Sequence, residues 1–135
     1  MALNPQLSDA AANAAGDAVC VLLNTGFLRL YDGTQAANAN TAIGAQNLLS
    51  TLRFGATAFG ASVAGVATAN AITSDNAAAL TGTASWFRAL KSDGTSVVFD
   101  GSVGTSGANL NLNSVAIQAN AQVSVTSFTL TLPEA

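Results

Sequence analysis

At 135 residues the chain has the length of one domain with a core of its own. Only 8% of its residues are charged, against roughly 25% in ordinary soluble domains, and the formal net charge is −3. Arg29, Arg53, Arg88 and Lys91 are the only cations, too few and too scattered for a nucleic-acid or anionic-membrane surface, so neither partner is expected.

The first seven residues, MALNPQL, read as an extended arm, with Met1, Leu3, Pro5 and Leu7 as its candidate contact residues. Ser8 is placed to cap a helix and Asp9 to sit in its first turn. Ala12, Ala15, Val19, Leu22 and Leu23 recur at helical spacing, with Asn13 and Asp17 off that stripe. The spacing predicts a helix from about residue 9 to 24, within a segment 8–25, with Gly26 as its stop. Cys20, in the run DAVCVLL, reads as a small core hydrophobe, and a single cysteine excludes an intrachain disulfide.

After Gly26 the pattern turns to strands. FLRLY reads as a strand ending at Asp32-Gly33, TQAANANTAIGAQ as a polar loop, and NLLSTLRF as a second strand. On that second strand Leu48, Ser50, Leu52 and Phe54 share one face, and Leu49, Thr51 and Arg53 the other. The stretch 54–72 is too broken by Gly, Ser, Thr and Asn to span a membrane, and part of 64–73 reads as strand. The N-terminus lacks the basic and apolar regions of a secretory signal, so folding in the cytoplasm is expected. LTGTASWFRALK reads as one strand, Asp93-Gly94 as its turn, and SVVF as the return. Asp100-Gly101 is expected to make a corner into the glycine-rich loop GSVGTSG.

Near the C-terminus the apolar alternation changes parity twice. The slip at Asn113-Ser114 fits a bulge or short turn, and the slip at Thr126-Ser127 predicts a β-bulge inside one strand. Pro133 is expected to end that strand. The sum is a mainly β, antiparallel sandwich or small barrel of about seven or eight strands with one N-terminal helix, as a single domain. Within that domain, 26–135 form the β part.

Chemistry-bearing constellations are scarce. The absence of histidine removes His-based triads and most zinc sites. Each Asp of the three Asp-Gly steps stands alone, which suits turns better than a calcium loop. Gly101, Gly104 and Gly107 have neither the lysine nor the following helix of a phosphate cradle. No enzyme activity and no cofactor are therefore expected. Arg29, Arg53 and Arg88 stand inside apolar strand segments, as FLRLY, TLRFG and WFRAL. They read equally as interface contacts or as solvated residues paired to Asp32, Asp93 or Asp100, such surface pairs contributing about 0–1 kcal/mol.

Several phrases, among them NTGFLRLYDGTQ, TAIGAQNLLSTLRF, GTASWFRALKSDGTSVVFDGSVGTSGANLNLNSV and VSVTSFTLTLP, give the chain a texture that resembles small virion structural proteins of tailed bacteriophages. The resemblance runs from about Asn4 to Pro133 and brings no functional residue with it. It implies a non-enzymatic particle component, a capsid decoration protein located in the virion. On this reading a homotrimer binds the major capsid protein and other virion proteins, with the arm and helix helping to anchor it. The alternatives are a tail, connector or fibre-associated protein, and a glycan-binding β-sandwich using Trp86, Tyr31 and the Asp-Gly loops.

Overall fold

A computed structural model describes residues 7–131. Helix α1 (Asp9–Val21) is followed by ten short strands: β1 (Phe27–Tyr31), β2 (Leu48–Phe54), β3 (Val66–Thr68), β4 (Ile72–Thr73), β5 (Gly82–Thr83), β6 (Trp86–Leu90), β7 (Val97–Gly104), β8 (Leu110–Leu112), β9 (Ala116–Ile117) and β10 (Val125–Thr131). The fold is mainly β with one N-terminal helix, as the sequence predicts. The arm residues Met1, Leu3 and Pro5, and the strand end at Pro133, lie outside the described residues.

The helix begins as expected, with the Ser8 side chain accepting from the Ala11 N–H at 3.1 Å. It ends earlier. Leu22, Leu23 and Asn24 donate to the carbonyls three residues back, a tightening that closes the last turn. Thr25 then takes the left-handed conformation (φ 57°), one residue before the predicted stop at Gly26. Gly26 is needed for a different reason: a Cβ there would overlap the Leu90 carbonyl oxygen and lie 2.8 Å from that of Leu23. The buried stripe is also rotated by about one position. Ala12, Gly16, Cys20 and Leu23 face inward, whereas Ala15 is exposed. The half-buried Asn13 and Asp17 accept backbone N–H groups of Gly65 (2.9 Å) and Ser62 (2.8 Å), and Asn24 does the same for Ala58 (2.8 Å). The helix therefore docks partly through polar side chains that satisfy the loop beside it.

Eight strands form one sheet in the order β3-β10-β8-β7-β6-β1-β2-β4, and β5 pairs separately with β9. The two edge strands, β3 and β4, are separated by only Ala69, Asn70 and Ala71. From Thr68 to Ile72 an extended chain reaches about 14 Å at most, so the sheet must curl until its edges meet. The amide of Ala69 extends the β3/β10 ladder, donating to the Phe128 carbonyl at 2.9 Å, and the join itself is closed beyond β4. Asp75 and Val123 exchange backbone hydrogen bonds of 3.1 and 2.7 Å. Inside the curl Phe128 contacts Phe87, Phe59 and Phe54 at centroid distances of 5.0, 5.4 and 6.0 Å, with Leu28, Leu30, Leu52, Leu110 and Leu112 around them.

Several strand expectations are refined. LTGTASWFRALK is two strands, because Ala84 donates to Val115 and Ser85 to Tyr31, so the chain leaves β9 and joins β1 between them. Leu49 is fully buried, although regular alternation puts it on the face opposite the buried Leu52 and Phe54. The β1/β2 register shifts between Leu30 and Tyr31, whose partners are Ser50 and Leu48, and the unpaired Leu49 turns into the core. Asp100-Gly101 is not a corner. Both residues lie inside β7, and only residues 105–109 form the loop that GSVGTSG was expected to make. Strands β7 and β8 then pair in parallel, against the antiparallel expectation. So short a parallel connection needs the loop pulled back on itself: Asn109 Oδ1 accepts from both the backbone N–H and the hydroxyl of Ser102, each at 3.1 Å. The predicted bulge is present, with the β10/β8 register shifting between Val125 and Ser127.

Candidate functional site

Strands β2, β1, β6 and β7 lie side by side, and their alternation brings the three strand arginines to one outer face. Leu28 and Leu30 of β1 pair with Ala89 and Phe87 of β6 on the core side. The intervening pairs, Phe27 with Leu90, Arg29 with Arg88 and Tyr31 with Trp86, therefore face outward. Arg53 of β2 stands opposite Phe27.

The three arginines have different surroundings. Arg88 is buried, and its Nε and Nη2 donate to the two carboxylate oxygens of Asp100 at 2.8 and 3.0 Å. Its hydrogen bonds to that carboxylate raise its pKa against the opposing effect of burial. The expected intramolecular pairing thus occurs, with Asp100, but in a buried and two-pronged form. Arg53 is exposed, its guanidinium carbon 4.6 Å from the centroid of the Phe27 ring. Arg29 is half-buried, and its Nε is buried without a hydrogen-bond acceptor. The Asp93-Gly94 turn closes over it: a methyl group at Gly94 would lie 3.6 Å from both Arg29 Nη2 and Phe27 Cε2. Gly94 has φ 74°, the left-handed turn conformation the Asp-Gly step predicts. Leu7, the one arm residue described, is exposed immediately ahead of the helix cap.

The upper part of the face is covered by the loop 32–47. Its ends are clamped, since the Asn47 backbone N–H and side-chain amide donate to the Asp32 carboxylate at 2.6 and 3.1 Å. These bonds hold the Asp32 carboxyl below its ordinary value. Trp86 Nε1 donates to the Asp32 carbonyl (3.1 Å) and the Ser85 hydroxyl to that of Gly33 (2.6 Å). Tyr31 and Trp86 stack with centroids 4.8 Å apart and are buried, so neither presents a ring face to a sugar. The loop encloses an open recess of about 570 Å³. Asp32 is the only charged side chain among the described residues lining it, and that carboxylate is already engaged by Asn47.

The other carboxylates with shifted pKa values serve the backbone. Asp93 accepts from the Ser96 hydroxyl and the Ser96 and Thr95 amides, which pull its carboxyl down to about 2. Burial would raise Asp75, but Ser50, Ala77 and Thr51 donate to it and hold it below its ordinary value. Cys20 is buried, and burial, then Asp17, push its thiol up to about 11, which makes it a poor nucleophile at neutral pH. Among the described residues no group of three or more His, Cys, Asp or Glu side chains is placed to hold a metal ion, and no helix is long and apolar enough to cross a membrane. No family model, curated protein or solved structure matches the chain.

Proposed function

We propose that the chain is a non-enzymatic structural protein of a tailed-bacteriophage virion, a capsid decoration protein that binds and reinforces the lattice of the major capsid protein as a homotrimer. The observation that carries the reading is where the charged groups go. Asp32, Asp75 and Asp93 are engaged by the chain's own amides, and Asp100 by Arg88, leaving a surface dominated by Ser, Thr, Asn and Ala. Such a surface loses little on desolvation against another protein. Helix α1 adds to it, with Ala10, Ala14, Ala18 and Val21 turned outward, Leu7 and Leu22 exposed at its ends, and Val63 exposed in the loop bonded to Asn13 and Asp17. A curled sheet with its edges joined is a stiff body for bridging subunits and resisting pressure from packaged DNA.

Cryo-microscopy of particles from the phage that encodes the chain tests the proposal. Many copies distributed over the shell are expected. Confinement to one vertex or the tail, or absence from purified particles, overturns it. Removing residues 1–7 is expected to lower shell occupancy, and unchanged occupancy rules the arm out as an anchor.

A further inference from the structure

All four cations of this acidic chain lie on β1, β2 and β6 or immediately after β6, at Lys91. Arg29 and Arg88 stand directly opposite each other on neighbouring strands, an arrangement that is unfavourable unless anions compensate it. Asp100 compensates Arg88, in the one ion pair among the described residues. Arg29 and Arg53 have no such partner among the described residues. The Arg29 Nε is sealed from solvent without an acceptor, so the terminal nitrogens of that half-buried side chain are what an outside group can meet. Meanwhile Phe27 holds the Arg53 guanidinium over its ring, and the Gly94 turn forms a wall beside Arg29. The result is a surface with two guanidinium groups flanking one aromatic ring.

We propose that this surface, formed by Phe27, Arg29, Arg53 and Gly94, is a docking surface for an acidic segment of a neighbouring protein, one of whose Asp or Glu carboxylates meets the terminal guanidinium nitrogens of Arg29 and Arg53. Charge complementarity selects the occupant. Guanidinium forks match planar carboxylates, and the ring offers an apolar surface to the peptide carrying them. A nucleic acid is a poorer match, because it requires a row of phosphate contacts and the remainder of this chain is acidic. The proposal deepens the virion reading and rests on it only for the identity of the neighbour.

The test uses the purified full chain, labelled with 15N, titrated with a capped tetraglutamate peptide, its tetraglutamine counterpart and tripolyphosphate. Saturable shifts of the Arg29 and Arg53 Nε resonances are expected with tetraglutamate, Arg88 remaining still, and they should weaken with added salt. Arg53→Gln is expected to weaken binding about tenfold, which corresponds to roughly 1.4 kcal/mol. Arg53 is exposed, so its fold should persist, and the amide spectrum reports this directly; the result stands even if Arg29→Gln fails to fold. Shifts at neither arginine, equal binding of tetraglutamine, or tighter binding of tripolyphosphate overturns the proposal. Because no particle is involved, this outcome is independent of where the protein sits in a virion.

Discussion

Arg88 and Asp100 have side chains only 5% and 4% exposed, so each charge depends on the other. Replacing Asp100 by Ala strands a buried guanidinium and is expected to cost about 3–5 kcal/mol, whereas a solvated pair would cost about 0–1 kcal/mol. The paired change Arg88→Met with Asp100→Leu removes both charges and should cost less than either single change to Ala. Urea unfolding of the four chains checks this, and equal, small losses would mean the pair is solvated after all. The arginines stand out in the sequence as charges inside apolar strands, but their partners are harder to read. With Lys91 donating to Ser96 across the turn, an unbulged hairpin would place Phe99 opposite Arg88. The register shifts between Ala89 and Leu90, and that single extra residue brings Asp100 into place. The three consecutive apolar residues Val97, Val98 and Phe99 hide the parity change that would have revealed it.

At the level of elements, Gly101 shows how an apparent turn signal can be a packing signal. A Cβ at this position would lie 2.5 and 2.6 Å from two ring carbons of Phe87, which is fully buried against Phe99 and Phe128. Gly101→Ala is therefore expected to destabilise the protein by about 1–3 kcal/mol, the usual cost of overpacking a core. Gly107→Ala also replaces a glycine in the same GSVGTSG run, but its added methyl meets nothing within 4 Å. Its cost should come from the positive φ alone (71°), so relief by Phe87→Leu is expected only for Gly101→Ala. Thermal unfolding of the single and double variants distinguishes these causes. Where the apolar pattern itself slipped, as at Thr126-Ser127, the sequence was enough to locate a bulge. The helix stripe was harder, because Ala carries almost no preference for inside or outside. Asn13 and Asp17 decided the rotation through bonds to a loop about fifty residues away, beyond the reach of local periodicity.

For the molecule as a whole, one carboxylate takes part in joining the sheet edges. Asp75 exchanges backbone bonds with Val123, just ahead of β10, while its side chain accepts from Ser50 Oγ (2.7 Å) and the Thr51 amide (3.1 Å) of β2. It therefore ties the two sides of the join through a single residue. Ser50 is fully buried, so Asp75→Ala leaves its hydroxyl without that acceptor, at an expected cost of about 1–3 kcal/mol. Hydrogen exchange should then rise first at Val123 and at residue 75, whose amides span the join, before it rises at Leu28 or Phe87 in the opposite wall. The same residue gives the closure an acid dependence. Its folded pKa lies below the unfolded value of 3.8, so its contribution is fully present above that value and fades as pH falls through the lower folded value. Asp75→Asn keeps the shape and loses this titration. The stability difference between wild type and Asp75→Asn, measured by urea unfolding from neutral pH downward, should shrink below about pH 4, where the unfolded chain begins to take up the proton. A difference that stays constant into strong acid would show that Asp75 closes the sheet through its shape alone.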